Sequence, residues 1–304
     1  MNEKKKDLTL SIPKEEIMQP GHLACQGCGA SLAMRYALKA LGRNVILDIP
    51  ACCWAVIDGP FPYSATGVPI YHTAFETAAA VASGISNGLR SVGKSGATIM
   101  AWAGDGGTFD IGIQALSGAA ERNDDIIYTV YDNEAYMNTG IQRSSATPHG
   151  AWTTTTPVKH FKKGEKKDLD SIMVAHGIPY MATASISHPE DLIKKYQKAA
   201  KIRGTKFLHV YAPCPTGWKS DPAMTVKVAK LAVETNVFPI YEVENGNYRI
   251  NIKPSKRKEV KEYLSMQGRF KHLTEEDVKY IQENIDRKWD TLLKKEQYFS
   301  SKEK

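Results

Sequence analysis

With 304 residues the chain is long enough to bury a core without cross-links, and five cysteines, an odd number, do not make a disulfide framework. A net charge of +7, from 40 basic and 33 acidic residues of mixed order, is modest; no aromatic residues interleave with the cations and no recognition motif appears, so nucleic acid is not an expected partner. Nothing at the start reads as a secretory leader, and the longest apolar runs, such as "ATIMAWAG", fall short of the roughly 20 residues that span a bilayer, so the expected setting is soluble, reducing and cytoplasmic, with no membrane contact.

Residues 1 to about 24 read as an extended lead-in ending in Pro20-Gly21. A helical pattern follows the "CQGC" segment, with Leu32, Ala33, Tyr36, Ala37, Ala40 and Leu41 on one face and Gly42 as the stop. "NVILDIPACCW" is a buried strand that breaks at Pro50 and delivers Cys52 and Cys53 at its end. "HTAFETAAAVASGISNGLRSVG" reads as a small-residue helix, "ATIMAWAGDGG" as a strand ending in a glycine turn, "FDIGIQALSGAAERN" as a helix and "DIIYTVYDNEA" as a strand. Strand, helix, strand with short joins predicts a right-handed βαβ unit in a parallel sheet, hence an α/β protein. Residues 139 to 168 show no period and predict a long loop that is functional or mobile. "DLDSIMVAHG" and "HPEDLIKKYQKAAKI" predict two helices, and "KFLHVYAPC" a strand ending at Cys214. "PIYEVENGNYRINI" is a hairpin around an Asn-Gly turn, "PSKRKEVK" a solvated loop entering a helix, and "LTEEDVKYI" a helix start where Thr274 caps and Asp277 reaches back.

Two strand-end motifs carry chemistry. "GDGG" at 104–107 and "DN" at 132–133 are separated by one crossover helix, so in a parallel sheet they open into one crevice. Asp105, Asn133 and the Ala135 carbonyl then make a hard oxygen set suited to Mg²⁺, while Gly104, Gly106 and Gly107 let backbone amides approach a diphosphate. Four residues of "GDGG" alone are a weak signal; GDG, a gap of about 25 residues and an Asn at a strand end together are the pattern of thiamine diphosphate enzymes.

Cys25 and Cys28 stand in a loop before a helix, Cys53 at one strand end and Cys214 at another, followed by Pro215. Four such thiolates suit an iron–sulfur cluster or a structural zinc, and spacing does not separate the two. A redox dithiol leaves Cys214 and the 52/53 pair unexplained.

"GHLACQGCGAS", "PACCW", "AGDGGTFDIG", "YDNEAYMNTGIQRSSATPHGAWTTTTP" and "VYAPCPTGW" stand in an order and spacing that resembles the beta subunit of 2-oxoacid:ferredoxin oxidoreductases, most like the pyruvate type, over about residues 15 to 240. The resemblance implies a thiamine diphosphate-binding fold, a mostly parallel sheet with helices on both faces plus a C-terminal hairpin and helix extension. It divides the chain at 1–235 and 236–304. It implies thiamine diphosphate, Mg²⁺ on Asp105, Asn133 and Ala135, and a [4Fe–4S] cluster on Cys25, Cys28, Cys53 and Cys214, with Cys52 a small buried neighbour. Asn138 matches the family's asparagine near the reactive carbon. Ala30 stands where some single-chain relatives have Glu, so a cofactor contact from that side chain is absent.

The implied reaction joins a 2-oxoacid, coenzyme A and oxidised ferredoxin to give acyl-CoA, CO₂ and reduced ferredoxin. The glutamate that engages the aminopyrimidine is expected from an alpha subunit, and gamma and delta (ferredoxin-like) subunits complete the complex, so this chain is not expected to act alone. A branched-chain 2-oxoacid enzyme and an oxalate enzyme are the alternatives within the class; a cluster-free thiamine decarboxylase or synthase and a zinc-binding assembly subunit lie outside it. His22 reads as a hydrogen-bonded structural histidine ahead of one that influences the cluster, Glu76 as a helix-start carboxylate ahead of a cofactor contact, and a local salt bridge or loop anchor explains Asp110 and Arg143, which flank the site, equally well.

Overall fold

The computed structural model describes residues 11–94 and 96–300. In chain order the elements are α1 (Gly29–Leu41), β1 (Val45–Pro50), α2 (Trp54–Ile57), β2 (Ile70–Thr73), α3 (Ala78–Ser91), β3 (Thr98–Gly104), α4 (Ile113–Glu121), β4 (Ile126–Asp132) and α5 (Leu169–Ala175). They continue with β5 (Tyr180–Ser185), α6 (Pro189–Ala199), β6 (Thr205–Tyr211), α7 (Pro215–Trp218), α8 (Thr225–Glu234), β7 (Ile240–Glu244), β8 (Asn247–Ile252), α9 (Val260–Ser265) and α10 (Glu275–Ser300).

Eight strands form one sheet in the order β2-β1-β3-β4-β6-β5-β7-β8. The pairings from β2 through β5 are parallel, and β7 and β8 join antiparallel at the β5 edge. Both faces are covered, which is why the central strands β4 and β6 are buried along their whole length. On one side Ala33, Met34 and Leu38 of α1 meet Leu192 and Tyr196 of α6. On the other, Ala79 and Ala82 of α3 pack with Leu116 and Ala120 of α4 and Met173 of α5. A third cluster, with Trp218, Val228, Tyr263 and Phe270, gathers α7 to α10. Among the described residues no helix is long and apolar enough to cross a membrane.

Several elements differ from the sequence reading. The buried stripe of α1 runs through Ala33, Met34, Ala37 and Leu38, while Leu32, Tyr36, Ala40 and Leu41 are half-buried at its margin. His72 and Thr73 belong to β2, a short edge strand too exposed for an apolar pattern, and the helix begins only at Ala78. β5 is buried on both faces but built from "YMATAS", whose small residues carry weak strand preference. The segment before α4 is a π-helical turn, Gly107–Ile111, in which Gly112 N–H reaches Gly107 O at 2.7 Å. Such turns are common where a chain approaches a ligand. The hairpin has its turn at Asn245 and Gly246, both at positive φ. At the start of α10, Thr274 N–H and Asp277 N–H are bonded reciprocally with the Asp277 carboxylate and Thr274 hydroxyl at 2.8 and 3.2 Å.

One buried group sits uneasily in this core. Asp48 on β1 is fully buried; Thr73 Oγ1 donates to its Oδ1 at 2.9 Å, and its Oδ2 has no hydrogen-bond partner. Burial pushes its carboxyl up to about 7, against the Thr73 bond. The unfolded chain ionises it near pH 4, so it binds more protons folded than unfolded between about pH 4 and 7, and stability falls as pH rises through that window. Asp48→Asn is therefore expected to raise urea-unfolding stability near pH 8 by about 1–3 kcal/mol. The gain should shrink near pH 5; an equal effect at both would rule out the carboxyl as the cause.

Candidate functional site

β1, β3, β4 and β6 run parallel, so their C-terminal ends share one edge of the sheet, with Gly104 beside Tyr131 and Asp132 beside Tyr211. The segments that follow are the motifs read from the sequence: Ala51–Cys53, Asp105–Gly107, Asn133–Asn138 and Ala212–Cys214. They enclose two adjoining cavities.

The first, of about 220 Å³, is walled by Gly104 to Gly107, Asn133 and Ala135 to Thr139, with Cys52, Phe75 and Tyr131. Asp105 is buried on its floor, held by Ser144 Oγ–H at 2.5 Å. One terminal atom of the Asn133 amide lies 2.8 Å from Asp105 Oδ1 and 3.1 Å from Ala135 O. With the amide oxygen there, three oxygens meet with no proton between them. Cis oxygens around an octahedral Mg²⁺ stand about 2.9 Å apart, from metal–oxygen bonds of about 2.05 Å, so the donor set fits that ion. Burial, then the charge of Asp132, pushes the Asp105 carboxyl well above its ordinary range, a cost that a cation removes. Gly106 lies against the Tyr136 ring where a Cβ would clash, which lets the backbone line the cavity closely. Tyr136 is in turn fixed by its hydroxyl, which donates to Asp110 Oδ2 at 2.7 Å.

Behind the Asn133–Ala135 turn lies a buried ionic network. Lys166 bonds Asp132 and, at 3.1 Å, Glu134; Arg269 donates to Glu134 at 2.6 Å; His209 bridges Asp132 and Asp170 at 2.7 and 2.8 Å. Burial opposes ionisation of Asp132, but Lys166 and His209 hold its carboxyl down to about 2. Burial likewise works against a charged imidazole, yet Asp170 and Asp132 raise His209 to about 9. The network explains the irregular segment at 139–168: it contributes Ser144, Thr147 and Lys166 to the site's supports and has one short 3₁₀ turn, Val158–His160.

The second cavity, of about 250 Å³, is lined by Cys25, Cys28, Cys53 and Cys214, with Leu23 and Val56 at its rim. Cys28 and Cys214 meet because the "CQGCG" loop lies directly on the end of β6: Gly29 N–H bonds Pro213 O at 3.1 Å, and a Cβ on Gly29 would stand 2.7 Å from that oxygen. Cys52 does not line this cavity; it lines the first one, together with Tyr131. Burial pushes the thiols of Cys28, Cys53 and Cys214 up, the last to about 11, which a bound metal would reverse. Among the described residues no group of three or more His, Cys, Asp and Glu side chains is arranged to hold a metal ion. The cavities share a wall of Cys53, Asn133, Met137 and Asn138.

Of the flanking residues, Asp110 is a loop anchor for Tyr136 and Ser145, and Glu76 is exposed ahead of α3. His22 is exposed and accepts from Ala24 N–H at 3.3 Å. For Arg143 the backbone N–H is held by Thr155 Oγ1 at 2.9 Å. Ser144, Lys166, His209, Trp218 and Arg269 were missed, since each supports the site from a distant segment. A lysine or arginine in a sequence carries no mark of being buried, so the available signal was in "KFLHVY", where a histidine interrupts a run of strand-forming residues.

The thiamine pyrophosphate enzyme C-terminal TPP binding domain family matches residues 59–210. The chain is 52% identical to the ketoisovalerate oxidoreductase subunit VorB of Pyrococcus abyssi over 95% of its length and 96% of the relative's. It is 52% identical to the pyruvate synthase subunit PorB of Methanothermobacter thermautotrophicus, over 91% and 97%. A solved 2-oxoglutarate:ferredoxin oxidoreductase from Magnetococcus marinus shares the fold, with a TM-score of 0.57 at 21% identity over 75% of this chain and 82% of that one.

The division of the cysteines is open to a direct check. In the co-purified protein, Cys53→Ser is expected to lose iron and the visible absorbance of a cluster, whereas Cys52→Ser keeps both. Equal loss in the two variants would contradict the arrangement of the two cavities.

Proposed function

The chain belongs to the beta subunits of the 2-oxoacid:ferredoxin oxidoreductases, and from that premise we propose that it forms the diphosphate, metal and first electron-accepting half of an enzyme that oxidatively decarboxylates pyruvate. Pyruvate, coenzyme A and two oxidised ferredoxins give acetyl-CoA, CO₂, a proton and two reduced ferredoxins. The observation that carries the reading is the shared wall: an oxygen-lined cavity and a cysteine-lined cavity meet at Cys53, Asn133, Met137 and Asn138.

In this reading Asp105, Asn133 and the Ala135 carbonyl hold Mg²⁺, and Gly104, Gly106 and Gly107 admit the diphosphate. Cys25, Cys28, Cys53 and Cys214 hold a [4Fe–4S] cluster. Thiamine diphosphate supplies the electron sink for loss of CO₂, and the cluster a one-electron acceptor beside it. Asn138, exposed and lining both cavities, is in this reading the catalytic asparagine near the reactive carbon of thiamine. Among the described residues Asp105 is the one acid on the first cavity's wall, and in this reading it is committed to the metal set. That supports a partner, the alpha subunit, as the source of the carboxylate that engages the aminopyrimidine and of much of the substrate wall. Gamma and delta (ferredoxin-like) subunits complete the electron path to ferredoxin, in the cytoplasm. Residues 1–235 make the cofactor-binding unit and 236–304 an extension that continues its sheet.

A branched-chain substrate is the second reading, because VorB and PorB relatives are equally similar to this chain. Anaerobic viologen reduction by the co-purified complex separates them. Rapid, coenzyme A-dependent reduction is expected with pyruvate; faster turnover of 2-oxoisovalerate would move the substrate and keep the mechanism. No reduction with any 2-oxoacid, in a complex holding thiamine and iron, would overturn the activity.

A further inference from the structure

Arg269 lies in the C-terminal extension, in the short turn Gly268–Phe270, more than a hundred residues from the Asn133–Ala135 turn. It is nevertheless buried, with its side chain 2% exposed. Its Nη2 donates to Glu134 Oε2 at 2.6 Å, and its Nε donates to Gln267 Oε1 at 3.0 Å. The face of the guanidinium lies 3.9 Å from the centre of the Trp218 ring. Trp218 Nε1–H in turn donates to Asn133 O at 2.7 Å. One side chain therefore reaches Glu134 directly and Asn133 through an indole.

Glu134 stands between two of the three candidate metal donors, the Asn133 side chain and the Ala135 carbonyl. Its backbone is left-handed, φ +67°, a conformation that a glutamate adopts only when its surroundings impose it. Every polar group is engaged: its N–H donates to Asp132 Oδ1 at 2.9 Å, Thr147 Oγ1–H donates to its carbonyl at 2.7 Å, and Lys166 takes its other carboxylate oxygen at 3.1 Å. Because the neighbours on either side of Glu134 carry donors, a rotation of this turn moves both. A lysine at 269 can supply charge, yet it cannot bond the carboxylate in plane while stacking on the indole.

We propose that Arg269 is a positioning residue for the metal–diphosphate site, by which the C-terminal extension locks the turn that carries Asn133 and Ala135. The proposal rests on reading that site as one for Mg²⁺ and thiamine diphosphate. Outer partners of metal ligands set affinity by about 10- to 100-fold, so the effect falls on cofactor binding.

The test uses the whole complex, stripped of thiamine diphosphate and Mg²⁺, with binding of both followed by calorimetry and by recovery of viologen reduction. Arg269→Gln is expected to raise the half-saturating concentrations about tenfold, to leave iron content unchanged, and to leave kcat at saturating cofactor within about threefold. Arg269→Lys should recover only part of the affinity. Trp218→Phe, which removes the N–H to Asn133 and keeps an aromatic ring, gives a smaller loss in the same direction and serves if Arg269→Gln does not assemble. Wild-type affinity in a folded Arg269→Gln or Trp218→Phe complex would overturn the positioning role, as would lowered iron content and melting temperature with unchanged affinity. A wild-type complex that binds no Mg²⁺ and thiamine diphosphate would instead sink the reading of the site itself.

Discussion

The oxygen-lined cavity depends on keeping several charges out of water. Asp105, Asp132 and Glu134 are buried at the ends of the neighbouring strands β3 and β4, and carboxylates so placed repel. The fold answers with half-buried Lys166 and buried His209 and Arg269, each from a different segment. Removing one member of such a pair leaves an uncompensated buried charge at a cost of about 3–5 kcal/mol, whereas the intact network does little for net stability. Its value lies in geometry. It holds a turn whose backbone would not otherwise be left-handed at Glu134, and Asp105 alone is left without a basic partner in contact, facing the oxygens of Asn133 and Ala135.

The cysteine cavity is made by close approach. Gly29 lets the loop carrying Cys25 and Cys28 rest on the backbone of Pro213, so thiols almost two hundred residues apart line one space. Cys53 reaches it from β1 across Trp54, whose indole N–H is tied to Ala30 O at 3.2 Å. Trp54, Trp102 and Tyr131 pack in series, ring centres 6.3 and 5.9 Å apart, and form the apolar filling behind the two cavities. A dry, rigid wall of this kind keeps the two sites at a constant separation.

Much of this was legible because the chemistry sits at strand ends. A parallel sheet places those ends on one edge, so "GDGG", "YDNEA", "PACCW" and "YAPC" had to converge once their strands were recognised. The hairpin and the capping of α10 were equally readable, since Asn245-Gly246 and Thr274 to Asp277 act through local bonds. β2 and β5 were not, because a four-residue edge strand and a strand of small residues lack a periodic signal.

The amino-acid sequence by itself determined the α/β class, the hard-oxygen and cysteine motifs and the order in which they occur, because these rest on local backbone preference and on residue type. Only the tertiary structure decided which way each side chain of the Cys52-Cys53 doublet turns, which distant cations neutralise Asp132 and Glu134, and that the C-terminal extension touches the turn that carries Asn133 and Ala135. Contacts such as that of Arg269 with Glu134 join residues more than a hundred positions apart, and their energy comes from shared burial, which no local pattern records.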